Sequence, residues 1–206
     1  MRTVAILCAA KKTAYRDIPG LEIYDEARDA RTFQGGMPVV AHPPCRYWLP
    51  HGFGTIARAA VTPEKIKAEK ELGFLCVKHV LECGGILEQP ARSLLWKEGG
   101  LPVPGLAQSP DSFALHVWQA WWGMPVKKGT WLYFRGINQF AIDIPFCLHA
   151  KGADKKWYRN PFGGHAERTR QSSHTVPAFA QWLVALARTA RIYEAAEKAR
   201  ETKCET

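Results

Sequence analysis

Two residues in this chain have the types and setting for covalent chemistry, Cys45 and Glu88. In Ala41-His42-Pro43-Pro44-Cys45, consecutive prolines remove backbone donors and end any hydrogen-bonded ladder. Cys45 therefore falls just past a strand's carboxyl end, pinned by a rigid turn. A thiol held in one orientation is what a nucleophile requires. A structural turn closed by an inert small residue has the same spelling. Glu88 follows Gly85-Ile86-Leu87 and precedes Gln89-Pro90, where a buried strand runs into a loop. A carboxylate buried there is costly without a partner. Beside Cys45 it would hydrogen-bond and activate a heterocycle; the structural alternative is a salt bridge to Arg46 or Arg92. Arg46 or a neighbouring lysine is expected to lower the pKa of Cys45.

The elements that must position these residues follow from pattern. Val4 to Cys8 reads as a buried strand, Leu21 to Tyr24 as a second ending at Asp25, and Met37 to Ala41 as a third. Thr62 as N-cap, Pro63 at the first helical position and Gly84-Gly85 at the far end bracket a long helix. Its apolar face carries Ala68, Leu72, Leu75, Cys76, His79, Val80 and Cys83. Ile86-Leu87-Glu88 is the next strand. Strand, helix and strand make a right-handed crossover between parallel strands, which brings Cys45 and Glu88 to one carboxyl-end edge. Leu101 to Pro110 reads as a Pro/Gly-rich loop, and residues 115–118 and 130–134 as further strands. Residues 137–170 form a loop-rich insertion or small substrate-facing subdomain. An amphipathic helix is expected from Val176 to Lys203, capped by Thr175, with Phe179, Trp182, Leu183, Leu186 and Ala190 on its apolar stripe.

The fold class is therefore α/β: one domain over residues 1–206, with helices on both faces of a main sheet. At 206 residues, 47% apolar and 23% charged, the chain has ample core. Its eight Trp, nine Phe and six Tyr exclude a disordered polymer. No run reaches the ~18 apolar residues of a membrane span, and lysines follow the short apolar start where a signal peptide would have its cleavage site. A cytoplasmic location with no membrane partner is the expectation. The six cysteines include no CxxC pair and are expected to be reduced thiols. His42 with Cys45, and Cys147 with His149, lack the pattern of a metal site, and no metal is expected. The net charge of +9 points to a polyanion partner, nucleic acid being the commonest. No obligate protein partner is evident.

The order Pro44-Cys45, helix, strand ending in Glu88 resembles the cytosine-C5 DNA methyltransferases, in particular small phage-type relatives with a His-Pro-Pro-Cys turn. Glu88-Gln89-Pro90 is similar to the family's Glu-Asn-Val motif. Gln171-Ser172-Ser173-His174-Thr175-Val176-Pro177 has the spacing of its Gln-x-Gly-Asn-x-Val-Pro motif. Lys127-Lys128-Gly129-Thr130-Trp131-Leu132-Tyr133 resembles a basic strand of the phage relatives. The resemblance implies a Rossmann-like methyltransferase-type sheet. It also implies a transferase in which Cys45 attacks C6 of a flipped cytosine and Glu88 grips N3 and the amino group. S-adenosylmethionine is the implied cofactor, near Leu7, Cys8, Asp25, Thr175 and Val176. DNA is the implied partner, met by His42, Pro44, Arg46, Trp122, Lys127, Lys128, Arg168 and Arg170. Amino-methyltransferases with Asp/Asn-Pro-Pro-aromatic fit less well, since His42 is no acid and Cys45 no aromatic. Where the family opens Phe-x-Gly-x-Gly, this chain reads Leu7-Cys8-Ala9-Ala10-Lys11-Lys12. Two alternatives follow: pyrimidine modification with another donor, or a non-catalytic DNA-binding, protective remnant of the fold.

Overall fold

The computed structural model describes residues 1–48, 62–124, 128–145 and 175–193. Seven strands form one mixed sheet: β1 (Val4–Leu7), β2 (Leu21–Ile23), β3 (Val39–Ala41), β4 (Gly85–Pro90), β5 (Ala107–Ser109), β6 (Ser112–Trp118) and β7 (Gly129–Arg135). Their spatial order is β2-β1-β3-β4-β7-β6-β5. The first four strands run parallel, and β7, β6 and β5 continue the sheet in antiparallel pairs. The chain is thus α/β, with its parallel half built from the first ninety residues.

The strands of the parallel half are buried on both faces, which is why they read as unbroken apolar runs. Val4 and Ile6 face an apolar layer completed by α3 (Pro177–Ala187), whereas Ala5 and Leu7 face α1 (Pro63–Cys83). That alternation is the two-residue period of a pleated strand. α1 begins as its sequence dictates: the Thr62 hydroxyl accepts from the Lys65 amide and Pro63 opens the first turn. Gly84 ends it at a positive φ, and a Cβ on Gly85 would collide with the Val39 carbonyl oxygen. Only glycine lets β4 approach β3 this closely.

Four expectations need correction. Residues 101–110 are not loop throughout, because Ala107–Ser109 pairs with β6 as an edge strand. β6 starts at Ser112, three residues before the expected position, since its pairing with β7 runs from Arg135 to Gly129. A short helix, α2 (Leu95–Glu98), follows β4. The terminal helix stops at Ala187 and is capped by the Val176 backbone, with no side-chain cap from Thr175. Beyond it the Arg191 amide donates to the Gly136 carbonyl, just past β7, and the Tyr193 amide to the Glu82 carbonyl in α1, so the backbone leaves helical pairing for neighbouring elements. The exposed residues of α3 are Pro177, Ala178, Gln181 and Ala185, so its solvent face carries only one hydrogen-bonding side chain. In the expected 137–170 insertion, 137–145 is loop with one 3-10 turn at Gln139–Ala141; the rest lies outside the described residues.

Candidate active site

The parallel register pairs Ala41 of β3 with Leu87 of β4, so the next residues, His42 and Glu88, leave the sheet side by side. His42 Nδ1 lies 3.1 Å from Glu88 Oε2. Beyond them the two strand-end loops are clamped. Gln89 Nε2 donates to the Pro43 carbonyl at 2.5 Å, the Ser93 hydroxyl donates to Gln89 Oε1 at 3.1 Å, and the Leu94 amide donates to the Trp48 carbonyl at 2.6 Å. The turn carrying Cys45 is held by the Trp48 amide on the Cys45 carbonyl. Gln89 therefore fixes the Pro-Pro turn that the sequence marks as rigid. Tyr47 and Trp48 are both buried, Trp48 against Phe74 and Gly73 of α1.

Glu88 is 7% exposed and well supplied with donors. Oε1 accepts from Gln119 Nε2 at 3.0 Å and faces Lys128 Nζ at 3.6 Å; Oε2 faces His42. Burial pushes this carboxyl up, but the Lys128 charge and the His42 hydrogen bond more than reverse it, and Glu88 titrates at about 2. An ionised carboxylate only accepts, so His42 Nδ1 carries the hydrogen it shares with Glu88. Its other nitrogen, Nε2, meets the Tyr15 hydroxyl at 2.8 Å. The salt-bridge alternative for Glu88 is thus realised by Lys128 and His42, not by Arg46 or Arg92.

Cys45 is half-buried, and its thiol is pushed up, first by burial and then by the Glu88 charge. Lys128 and Arg46 pull it down by less. The expectation that nearby cations depress this thiol is therefore corrected: the carboxylate that would assist the chemistry is the charge that keeps Cys45 protonated. The two expected chemical groups share one electrostatic environment, in opposition.

Three contributors escaped the sequence reading: Tyr15, Gln89 and Gln119. Tyr15 is 1% exposed and comes from the 3-10 turn after β1. Gln119 is fully buried, donates to both Glu88 and Thr130, and leaves its own Oε1 without a hydrogen-bond partner among the described residues. Glutamine is a weak signal in a sequence, and only the antiparallel arrival of β6 and β7 brings Gln119 and Lys128 to Glu88.

The remaining expected site residues scatter. Trp122 is buried in an aromatic cluster with Phe179 and Trp182, ring centroids 4.8 and 4.7 Å away, and is a packing residue in place of a stacking platform for a base. Pro44 is half-buried and Arg46 exposed. Lys127, Arg168 and Arg170 lie outside the described residues.

The residues assigned to S-adenosylmethionine do not fit that group as the resemblance arranges it. Leu7 is fully buried beneath α1, and Val176 packs into the layer under α3. Thr175 is half-buried beside it. Asp25 Oδ1 accepts from the Ala27 and Arg28 amides, and Oδ2 pairs with Arg16 at 2.5 Å, so its acceptor capacity for a ribose is largely spent on its own chain. Cys8 adopts a positive φ of 59° where the family has a glycine loop, and its sulfur lies 3.6 Å from that of Cys76. The β1–β3 switch point, where open α/β sheets take ligands, is filled by Tyr15 against His42.

Among the described residues no cluster of His, Cys, Asp and Glu is arranged to hold a metal, and no helix is long and apolar enough to cross a membrane. No protein-family description, curated protein or solved structure matches the chain.

Proposed function

We propose that this chain is a phage-type DNA base-modifying enzyme resembling a cytosine-C5 methyltransferase, with Cys45 as nucleophile and Glu88 as the group that grips the base. The observation that carries this reading is the shared environment of the two side chains at the carboxyl edge of β3 and β4, where the Glu88 charge reaches the Cys45 thiol. In this reading Cys45 loses its thiol proton to solvent, Sγ bonds C6 of the pyrimidine, and the displaced C5–C6 π pair makes C5 a carbanion-like nucleophile that takes a one-carbon group from an electrophilic donor, whose leaving group departs with the bonding pair. Loss of the C5 proton and elimination of Cys45 then restore the ring. Glu88 accepts the 4-amino group of cytosine and, when it carries a proton, also serves N3.

The opposition between the two groups has a use. A base whose amino group takes up hydrogen bonding from Glu88 tempers a charge that, after burial, raises the Cys45 thiol, which shifts Cys45 toward thiolate when substrate is in place. The saturated Asp25 and the filled β1–β3 switch point favour a donor other than S-adenosylmethionine. The protonated Cys45 and ion-paired Glu88 of the free protein equally support the reading of a non-catalytic DNA-binding form.

Covalent trapping decides among these. DNA containing 5-fluorocytosine is incubated with the protein, with and without S-adenosylmethionine, and intact masses are compared with Cys45→Ala. An adduct that requires Cys45 in the absence of that cofactor supports base modification with another donor. A cofactor-dependent adduct restores methyl transfer. DNA binding with no adduct under either condition overturns methyl transfer from S-adenosylmethionine and moves the reading to the non-catalytic DNA-binding form or to chemistry with another donor.

A further inference from the structure

The charges of this chain are unevenly compensated. Most described lysines and arginines face carboxylates, backbone carbonyls or the Tyr193 ring. Among the described residues, Lys11, Lys12, Arg46, Lys65, Arg92 and Lys97 have no such partner, and all six are exposed. Their positions share one property. Lys11 and Lys12 follow the carboxyl end of β1, Arg46 and Lys65 that of β3, and Arg92 and Lys97 that of β4. α1 is 21 residues long and runs back to the start of β4, so its first turn, with Lys65, stands at the same edge. Asp17, Glu26 and Glu64, likewise without a cation partner, lie after β1, after β2 and in the first turn of α1, so the described segments at the edge that carries Cys45 and Glu88 hold six unpaired cations against three unpaired carboxylates, a net positive excess.

A second observation singles out this edge. Cys8 and Arg92, with φ of 59° and 69°, are the non-glycine residues at positive φ among the described residues; Cys8 directly follows β1 and Arg92 lies two residues past β4. A left-handed backbone costs a residue with a Cβ roughly 1–2 kcal/mol, and such strain gathers at functional sites. At position 92 the chain carries that strain with an exposed arginine where glycine or asparagine would relieve it.

We infer that Lys11, Lys12, Arg46 and Arg92 form a phosphate track that holds a nucleic-acid strand across the carboxyl edge, with the base to be modified at its middle. The inference rests on the proposed function for the identity of the central base; the track itself rests on the charges. Neighbouring strands are about 4.8 Å apart, so the loops after β1 and β4, two strands removed, are separated by roughly 10 Å. A strand of nucleic acid rises about 3.4 Å per nucleotide, and that span matches about three nucleotides. A single phosphate or mononucleotide is too short to meet both ends. Cations on loops, with no side chain reaching a base edge, position a strand without reading its sequence.

The test is the salt dependence of binding. Anisotropy of a fluorescein-labelled, cytosine-containing single strand of about 15 nucleotides is titrated from about 50 to 200 mM salt. Wild type is compared with the combined Lys11→Gln, Lys12→Gln, Arg46→Gln, Arg92→Gln variant and with the control Lys67→Gln, Lys78→Gln on the exposed face of α1. Each lost phosphate contact lowers the slope of log affinity against log salt by about 0.7 for a single strand. The edge variant is expected to lose about 3 from the slope, a roughly fifty-fold smaller salt effect over that range, while the control retains the wild-type slope. Should the combined variant fail to fold, the single substitutions are each expected to lose about 0.7. An edge slope equal to the control overturns the track. So does binding of phosphatidylserine-containing vesicles as tight as that of the oligonucleotide and equally lost in the edge variant. The 5-fluorocytosine adduct separates the two readings: an adduct with an unchanged edge slope removes the track alone. A reduced edge slope with no Cys45 adduct removes methyl transfer from S-adenosylmethionine and keeps the track.

Discussion

Acid should weaken this fold through Glu88 in a way that one substitution isolates. Burial acts to raise this carboxyl, but the Lys128 charge and the His42 hydrogen bond bring it from 4.5 to about 2. At about 1.36 kcal/mol per unit, the ionised group stabilises the folded state by roughly 3 kcal/mol near neutral pH. The folded value lies below the unfolded one, so this contribution is complete above 4.5 and is lost as pH falls toward about 2. Between about pH 7 and pH 3 roughly 2 kcal/mol of it disappears. Glu88→Gln keeps the shape and lacks the titration. The stability gap between wild type and variant should therefore narrow by roughly 2 kcal/mol over that range. Urea unfolding followed by the fluorescence of the eight tryptophans measures it at each pH. A gap that does not change with pH refutes the ion-paired carboxylate, and one that widens in acid refutes its sign.

The same substitution has a chemical readout at Cys45. With the Glu88 charge removed, burial alone still raises the thiol while Lys128 and Arg46 continue to lower it, and its pKa falls. Iodoacetamide labelling of Cys45 near neutral pH, read by peptide mass, should run several-fold faster in Glu88→Gln than in wild type; an equal or slower rate contradicts the electrostatic opposition. Gln89→Leu strips the buried Pro43 carbonyl and the Ser93 hydroxyl of their shared partner. It should destabilise the protein by about 1–3 kcal/mol in thermal unfolding, whereas a cost near zero would mean that the clamp does not hold the turn.

Local chemistry made the parallel half of the sheet legible. Apolar runs closed by proline or glycine mark β1, β3 and β4, and Thr62-Pro63 with Gly84-Gly85 bracket α1 because caps act within a turn. The meeting of Cys45 and Glu88 at one edge follows from a crossover whose handedness is nearly fixed. The partners of Glu88 were not legible. Lys128 reads as a basic residue of a DNA-facing strand, yet it lies where β7 returns antiparallel beside β4, and that pairing is a property of the whole sheet. Tyr15 reads as a loop residue until β1 and β3 are adjacent and its hydroxyl finds His42. The sign of the Cys45 shift was missed for a related reason. Neighbours in sequence reveal Arg46 but neither burial nor the Glu88 charge across the sheet. The terminal helix was overextended because its apolar stripe continues to Ala190 after the helical hydrogen bonds have ended.

The placement of α3 has a consequence for how the chain becomes a protein during synthesis. α1 lies between β3 and β4 in the chain, so one side of the parallel sheet receives its cover early. The other side waits for Phe179, Leu183 and Leu186, which lie in the last fifth of the described sequence. Until those residues leave the ribosome, Val4, Ile6, Val40 and Ile86 present a bare apolar surface to the cell. Domains made from the amino end expose such surfaces for as long as elongation takes, at about 5–20 residues per second. The nascent chain thus spends several seconds as a half-clad sheet, the interval in which a chaperone is most needed and a stalled translation product most prone to aggregate.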